Sequence, residues 1–107
     1  MAESKINYID PLKWKGVVDT SGSLPWSIPS GWKELHVMTY ITGRHLIINL
    51  INEDLDESIP RMFATGYYGN SSDNVRVLLR LTKSTISDAQ FDFNGSAQTA
   101  SWVIRYR

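Results

Sequence analysis

The sequence predicts an all-β protein, an antiparallel two-sheet β-sandwich. Apolar and polar residues take turns with a period of two in several separate stretches, the signature of strands with one covered face. Between those stretches lie clusters of Gly, Asn, Ser, Asp and Pro, and no segment sustains a convincing helical pattern. Roughly six to nine short strands joined by polar turns fit two packed sheets better than any helical architecture.

Residues 1–10 carry no sustained period and are expected to form an N-terminal arm that another chain can fix in place. Residues 11–107 are expected to form a single β-sandwich domain. The segment KWKGVVDTSGSLPWSIPSGWKEL contains Gly16, Gly22, Gly31, Pro25 and Pro29. A helix there would cost about 1 kcal/mol per Gly and about 3 per Pro, so short strands and turns are predicted, with Trp14, Trp26 and Trp32 each pinning a loop onto the core.

In ELHVMTYITGRHLIINLI the alternation is plainest. Leu35, Val37, Thr39 and Ile41 alternate with His36, Met38 and Tyr40, and Leu46, Ile48 and Leu50 alternate after the turn. A two-residue loop at Thr42-Gly43 sets Ile41 opposite Arg44, Thr39 opposite Leu46, Val37 opposite Ile48 and Leu35 opposite Leu50. All the aliphatics then share one face, whereas a loop one residue longer would split them between core and water. Gly43 supplies the positive φ of so tight a turn.

The stretch NEDLDESIPR reads as a solvated loop or a single helical turn. A strand over Arg61 to Tyr68 and a partner over Val75 to Thr82 follow, with Val75, Val77, Leu79 and Leu81 inward. The register of this hairpin stays open, because Phe63/Tyr67 and Met62/Tyr68 compete for the inner face. Ala89 to Phe93 is a short strand ending at Asn94-Gly95, a strong hairpin-turn dipeptide. The final TASWVIRYR places Trp102, Ile104 and Tyr106 on one side and Val103, Arg105 and Arg107 on the other.

At 107 residues, with 42% hydrophobic and 21% charged side chains, the chain has the balance of one folded domain. Eleven basic and eleven acidic residues cancel. No global field draws in a polyanion, so nucleic acid is not an expected partner. The absence of cysteine excludes disulfides, thiolate metal sites and cysteine nucleophiles. No apolar run approaches the ~20 residues of a membrane span, and the first ten residues lack the pattern of a signal peptide. A soluble protein without membrane insertion is expected.

No G-x-S-x-G, H-E-x-x-H, P-loop or dinucleotide fingerprint occurs. His36 falls opposite Asn49 and His45 opposite Tyr40, both facing outward and too far apart to share a ligand. The acidic residues Glu53, Asp54, Asp56 and Glu57 lack the spacing and turning glycine of a calcium loop. No enzyme, metal or cofactor is therefore predicted. Asn70-Ser71-Ser72 and Asn94-Gly95-Ser96 match the N-glycosylation pattern and are read as turn residues. Arg76 and Arg80 share one strand face and Arg105 and Arg107 another; adjoining, those faces would make a basic strip for an acidic partner.

The candidate ligand site is the tip of the Arg61–Thr82 hairpin. Tyr67 and Tyr68 are successive, so a regular strand turns one of them from the core. Beside it Asn70, Ser72, Asp73 and Asn74 supply hydrogen-bonding groups. An exposed ring flanked by such groups is a stacking platform for a sugar or an anchor for a protein.

LPWSIPSGWKEL before a strand, ATGYYGNSS opening a long hairpin, the NG turn and the terminal VIRYR together resemble C-terminal β-sandwich modules of phage and prophage tail, baseplate and fibre proteins. The resemblance implies a jelly-roll-like sandwich, often trimeric, placed in the virion tail after synthesis in the bacterial cytoplasm. Its expected partner is a host-surface glycan or protein, met by loops at one end of the sandwich. Two alternatives stand beside it: an architectural trimerisation or capping domain, and a stand-alone lectin or adhesin.

Overall fold

A computed structural model describes residues 13–41, 43–68 and 74–107. The expected N-terminal arm lies outside the described residues, as do Asn70, Ser72 and Asp73.

Among the described residues nine strands form two antiparallel sheets. They are β1 (Gly16–Val18), β2 (Trp26–Ser27), β3 (Glu34–Ile41), β4 (Arg44–Ile51), β5 (Arg61–Tyr68), β6 (Asn74–Leu81), β7 (Thr85–Phe93), β8 (Ser96–Gln98) and β9 (Ser101–Tyr106). Sheet A has the order β1-β9-β3-β4; sheet B has β2-β7-β6-β5, with β8 also pairing β7. The chain crosses between sheets after β1, β2, β4 and β8, so its ends interleave in the manner of a jelly roll while β3–β4 and β5–β6–β7 stay adjacent. Among the described residues no helix is long and apolar enough to cross a membrane.

The β3–β4 register is the one the aliphatic alternation predicts: Thr39 opposite Leu46, Val37 opposite Ile48, Leu35 opposite Leu50. Gly43 holds φ at 74°, a conformation in which a Cβ would be strained. On β6 the expected inner row is fully covered, with Val77, Leu79 and Leu81 at most 1% exposed. These residues meet Leu35, Val37, Ile48, Leu50, Phe91 and Ile104 in one core between the sheets. Pairing of β5 with β6 sets Phe63 opposite Leu79 and Thr65 opposite Val77, which puts Phe63 and Tyr67 on the inner row and Met62 on the outer.

Three expectations need correction. The seventh strand begins at Thr85 rather than Ala89. Arg80 pairs with Asp88 but Leu81 with Ile86, so Ser87 is an extra residue, and its hydroxyl donates to the Arg80 carbonyl at 3.1 Å. That bulge moves the inward phase from Ile86 to Ala89, Phe91 and Phe93 and hides the strand from a period-two reading. Trp26 and Trp32 are buried, but Trp14 lies on the outer face of sheet A instead of in the core. The arginines form no common strip, because Arg76 and Arg80 stand outside sheet B and Arg105 and Arg107 outside sheet A, on opposite sides of the sandwich. Arg76 is bonded to Asp92 and Arg107 to Glu34, both at 2.6 Å, so neither arginine offers an uncompensated charge.

One end of the sandwich is closed by loops. The Trp32 indole N–H donates to the Lys83 carbonyl at 2.6 Å, Ile28 N–H to Ser84 O at 2.8 Å and Lys83 N–H to Asp56 O at 2.9 Å. A 3-10 turn at Asn52–Asp54 matches the single turn expected there, and Leu55 behind it is buried. The opposite end carries the β3–β4 turn, the β5–β6 connection and the turn at Asn94-Gly95, whose φ values are 51° and 84°. Asn74 N–H donates to Asn94 Oδ1 at 2.9 Å and Asn94 N–H to Asn74 O at 2.8 Å, tying β6 to the second of these hairpins.

Candidate functional site

At the open end, two of the six residues singled out at the hairpin tip have described side chains. Tyr67 is 53% exposed although it belongs to the inner row of β5. Asn74, beside it, is half-buried and serves the turn: its peptide makes both bonds to Asn94, while its side-chain Oδ1 is buried without a hydrogen bond. Tyr68 pairs with Asn74 in the β5–β6 register. The structure thus sets Tyr67 and Asn74 at one rim; Asn70, Ser72 and Asp73 belong to the connection outside the described residues.

A second cluster lies on the outer face of sheet A, where sequence reasoning placed no site. β1 is pinned to β9 through Lys15 N–H to Tyr106 O at 2.8 Å and through the Gly16–Tyr106 pair. The Tyr106 ring packs directly over Gly16, where a Cβ would come 2.9 Å from it and displace it. Just upstream, Trp14 folds over the sheet. Its ring stacks on His36 with centroids 5.2 Å apart and planes 3° from parallel. The Arg107 guanidinium carbon lies 4.3 Å from the indole centroid and that of Arg105 4.9 Å. Two cation–π contacts and one stacking contact hold a ring that remains half-exposed.

Beneath the indole, Arg105, His36 and Asn49 stand side by side on β9, β3 and β4. Arg105 Nη2 donates to His36 Nδ1 at 3.2 Å and to Met38 Sδ at 3.7 Å. A guanidinium has no lone pair to offer, so His36 Nδ1 is the acceptor and the imidazole is neutral. Its pKa is lowered accordingly, first by burial and then by the charges of Arg105 and Arg107, with a hydrogen bond to Asn49 pulling the other way. Arg107 binds Glu34 Oε2 through Nε at 2.8 Å and Nη2 at 2.6 Å. Arg105 Nε is buried without a hydrogen bond, and among the described residues no carboxylate pairs with Arg105.

These residues open onto a cavity of about 460 Å³ walled by Trp14, Glu34, His36, Asn49, Asp54 and Arg107, with Leu50 and Ile51 below. Its volume falls in the range of about 300–1,000 Å³ that holds small ligands. The lining offers an aromatic surface, donors from Arg107 and Asn49, and acceptors from Glu34, Asp54 and Asn49. Among the lining side chains one cation, Arg107, stands with two carboxylates, Glu34 and Asp54, while Arg105 lies behind, bonded to His36. Such a site suits a neutral ligand rich in hydroxyls better than a polyanion, because each hydroxyl can both donate and accept. Further along the same face, Met38, Tyr40, His45, Ile47 and Val103 line a shallow apolar hollow of about 220 Å³.

The outward positions of His36, Arg105 and Arg107 were legible from alternation. Their convergence was not, because it depends on β9 inserting between β1 and β3. No known protein family matches the chain, and neither does any curated protein or solved structure.

Proposed function

We propose that this chain is a non-enzymatic recognition module of phage or prophage tail machinery that binds a host-surface glycan, with the Trp14 cavity as its principal contact. One observation carries the ligand class: an indole fixed by His36, Arg105 and Arg107 forms the wall of a cavity whose other walls are mixed donors and acceptors. A sugar ring presents an apolar C–H face to an aromatic and a rim of hydroxyls to polar groups, and the cavity offers both surfaces. The tail context rests on the pieces LPWSIPSGWKEL, ATGYYGNSS, NG and VIRYR. The rim at Tyr67, Tyr68, Asn70, Ser72, Asp73 and Asn74 is a second contact on the same ligand or surface.

The test is a glycan array followed by calorimetry on any hit, comparing Trp14→Ala, Arg107→Ala, Tyr67→Ala and Tyr68→Ala. Loss of binding in the first two variants is expected, with smaller losses in the tyrosine variants. Full retention in Trp14→Ala would remove the cavity from the mechanism, and loss confined to the tyrosine variants would move the ligand to the rim.

A further inference from the structure

Sheet B ends at β5, and that end is unusually open. All eight residues of β5 pair with β6 in unbroken register, and among the described residues no strand lies on its other side. Proteins blunt exposed edges with short strands, lysine, proline, bulges or inward charges. β5 has eight residues, no proline or lysine and no register shift against β6; its single charge, Arg61, falls in the inner row but only at the first position, opposite Leu81. The remaining edges differ. β1, β2 and β8 have three residues or fewer, and the inner row of β4 is already covered, with Ile48 and Leu50 buried. On β5 the inner row is unfinished, since Phe63 and Thr65 are half-buried and Tyr67 stands half in water on the core side.

We propose that two copies of this chain pair through β5, antiparallel, about a two-fold axis that passes through Thr65 normal to sheet B. In that register Thr65 meets the partner's Thr65 and Phe63 meets the partner's Tyr67, once on each side of the axis. The pairing unites inner rows with inner rows, as the two-residue side-chain period requires. It covers the Tyr67 ring with an aromatic, a favoured cross-strand combination. On the outer face Ala64 meets the partner's Gly66, and toward each end Met62 meets the partner's Tyr68, a thioether opposite an aromatic. The occupant is a second copy, because an isologous contact needs the same patch to complement itself, and β5 does so at this register. An axis normal to the sheet keeps both copies of sheet A on one side, so both Trp14 cavities face the same way. The gain in avidity that follows rests on the glycan reading of that cavity; the pairing itself does not.

The chain has no cysteine, so a single introduced thiol reports the contact cleanly. Directly opposed residues of an antiparallel pair have Cα atoms about 4.5–5.5 Å apart, within the span a disulfide bridges. Thr65→Cys is expected to oxidise to a covalent dimer, while Ile47→Cys, more exposed on the outer face of sheet A, remains monomeric under the same conditions. Sedimentation equilibrium of the unmodified chain is expected to show a dimer that Tyr67→Lys weakens by about tenfold or more. Circular dichroism melting verifies that Tyr67→Lys stays folded. A monomer at all concentrations, a trimer, or crosslinking of Thr65→Cys no faster than Ile47→Cys overturns the pairing whatever the glycan array reports. Glycan binding by a strict monomer would leave the proposed ligand site standing and this interface refuted.

Discussion

Leu78 and Leu79 are the same side chain one residue apart on β6, and the sandwich assigns them to opposite faces. Leu79 is 0% exposed, inside the core between Phe63 and Ala89 of the neighbouring strands. Leu78 is half-exposed on the outer face between Ala64 and Gln90. Truncating Leu79 to Ala removes three buried carbons at about 0.8 kcal/mol each and leaves a cavity between two sheets that cannot readily collapse, for a cost of about 3–4 kcal/mol. The same truncation at Leu78 removes partly wetted carbons and leaves no enclosed void, for about 1 kcal/mol or less. Urea denaturation followed by tryptophan fluorescence measures both, read as a shift in midpoint at unchanged slope. A drop in Tm of ~10 °C or more is expected for Leu79→Ala. Equal costs, or a larger cost at Leu78, would refute the assignment of faces and with it the two-layer core.

Other perturbations probe separate parts of the molecule. A Cβ on Gly66 would come 2.9 Å from the Val75 carbonyl oxygen, so Gly66→Ala must push β5 off β6 and is expected to cost about 1–3 kcal/mol in the same denaturation assay. Arg76→Ala strips the buried Asp92 carboxylate of its charged partner, leaving only the Gln90 amide at 2.7 Å; a loss of about 1–3 kcal/mol at neutral pH is expected. Asp92 has a lowered pKa, caused chiefly by Arg76, so that loss shrinks as acid protonates the carboxylate. His36 has a pKa below its usual 6.5 in the fold. The unfolded chain therefore takes up its proton first, and the His36 contribution to stability is present above about pH 6.5 and fades as pH falls through the folded value. Chemical denaturation between about pH 7.5 and about pH 5 should show this slope in the parent and less of it in His36→Gln.

The sequence reading went furthest where local rules reinforce one another. In β3 and β4 a tight turn with Gly43 and an aliphatic row on each strand admit a single register, and the observed pairs are those. Alternation likewise located the buried row of β6 and the outward set of β9. It failed at Thr85–Asp88 because the Ser87 bulge reverses the phase, so a strict period-two test sees polar residues where Ile86 is buried. The choice between Phe63/Tyr67 and Met62/Tyr68 was open locally and was settled by the partner strand, which aligns Phe63 with Leu79.

The Trp14 cavity was invisible for a topological reason. His36 and Arg105 are 69 residues apart, and nothing in either neighbourhood announces that β9 lies beside β3. Trp14 itself sits before a three-residue strand, where an aromatic is ordinarily read as a loop anchor. Of the rim, the exposure of a tyrosine was legible, but its origin was not. Tyr67 shares the inner row with Phe63 yet is 53% exposed, and row membership alone does not fix how far a residue at a strand's end is covered.

The most direct measurement is a nuclear magnetic resonance titration of the labelled protein with a glycan taken from the array. The Trp14 indole N–H and the Asn49 side-chain amide should move together along a single binding curve, before any resonance of Tyr67 or Asn74. Shifts confined to Tyr67 and Asn74, with Trp14 and Asn49 still, would contradict a glycan site on the outer face of sheet A.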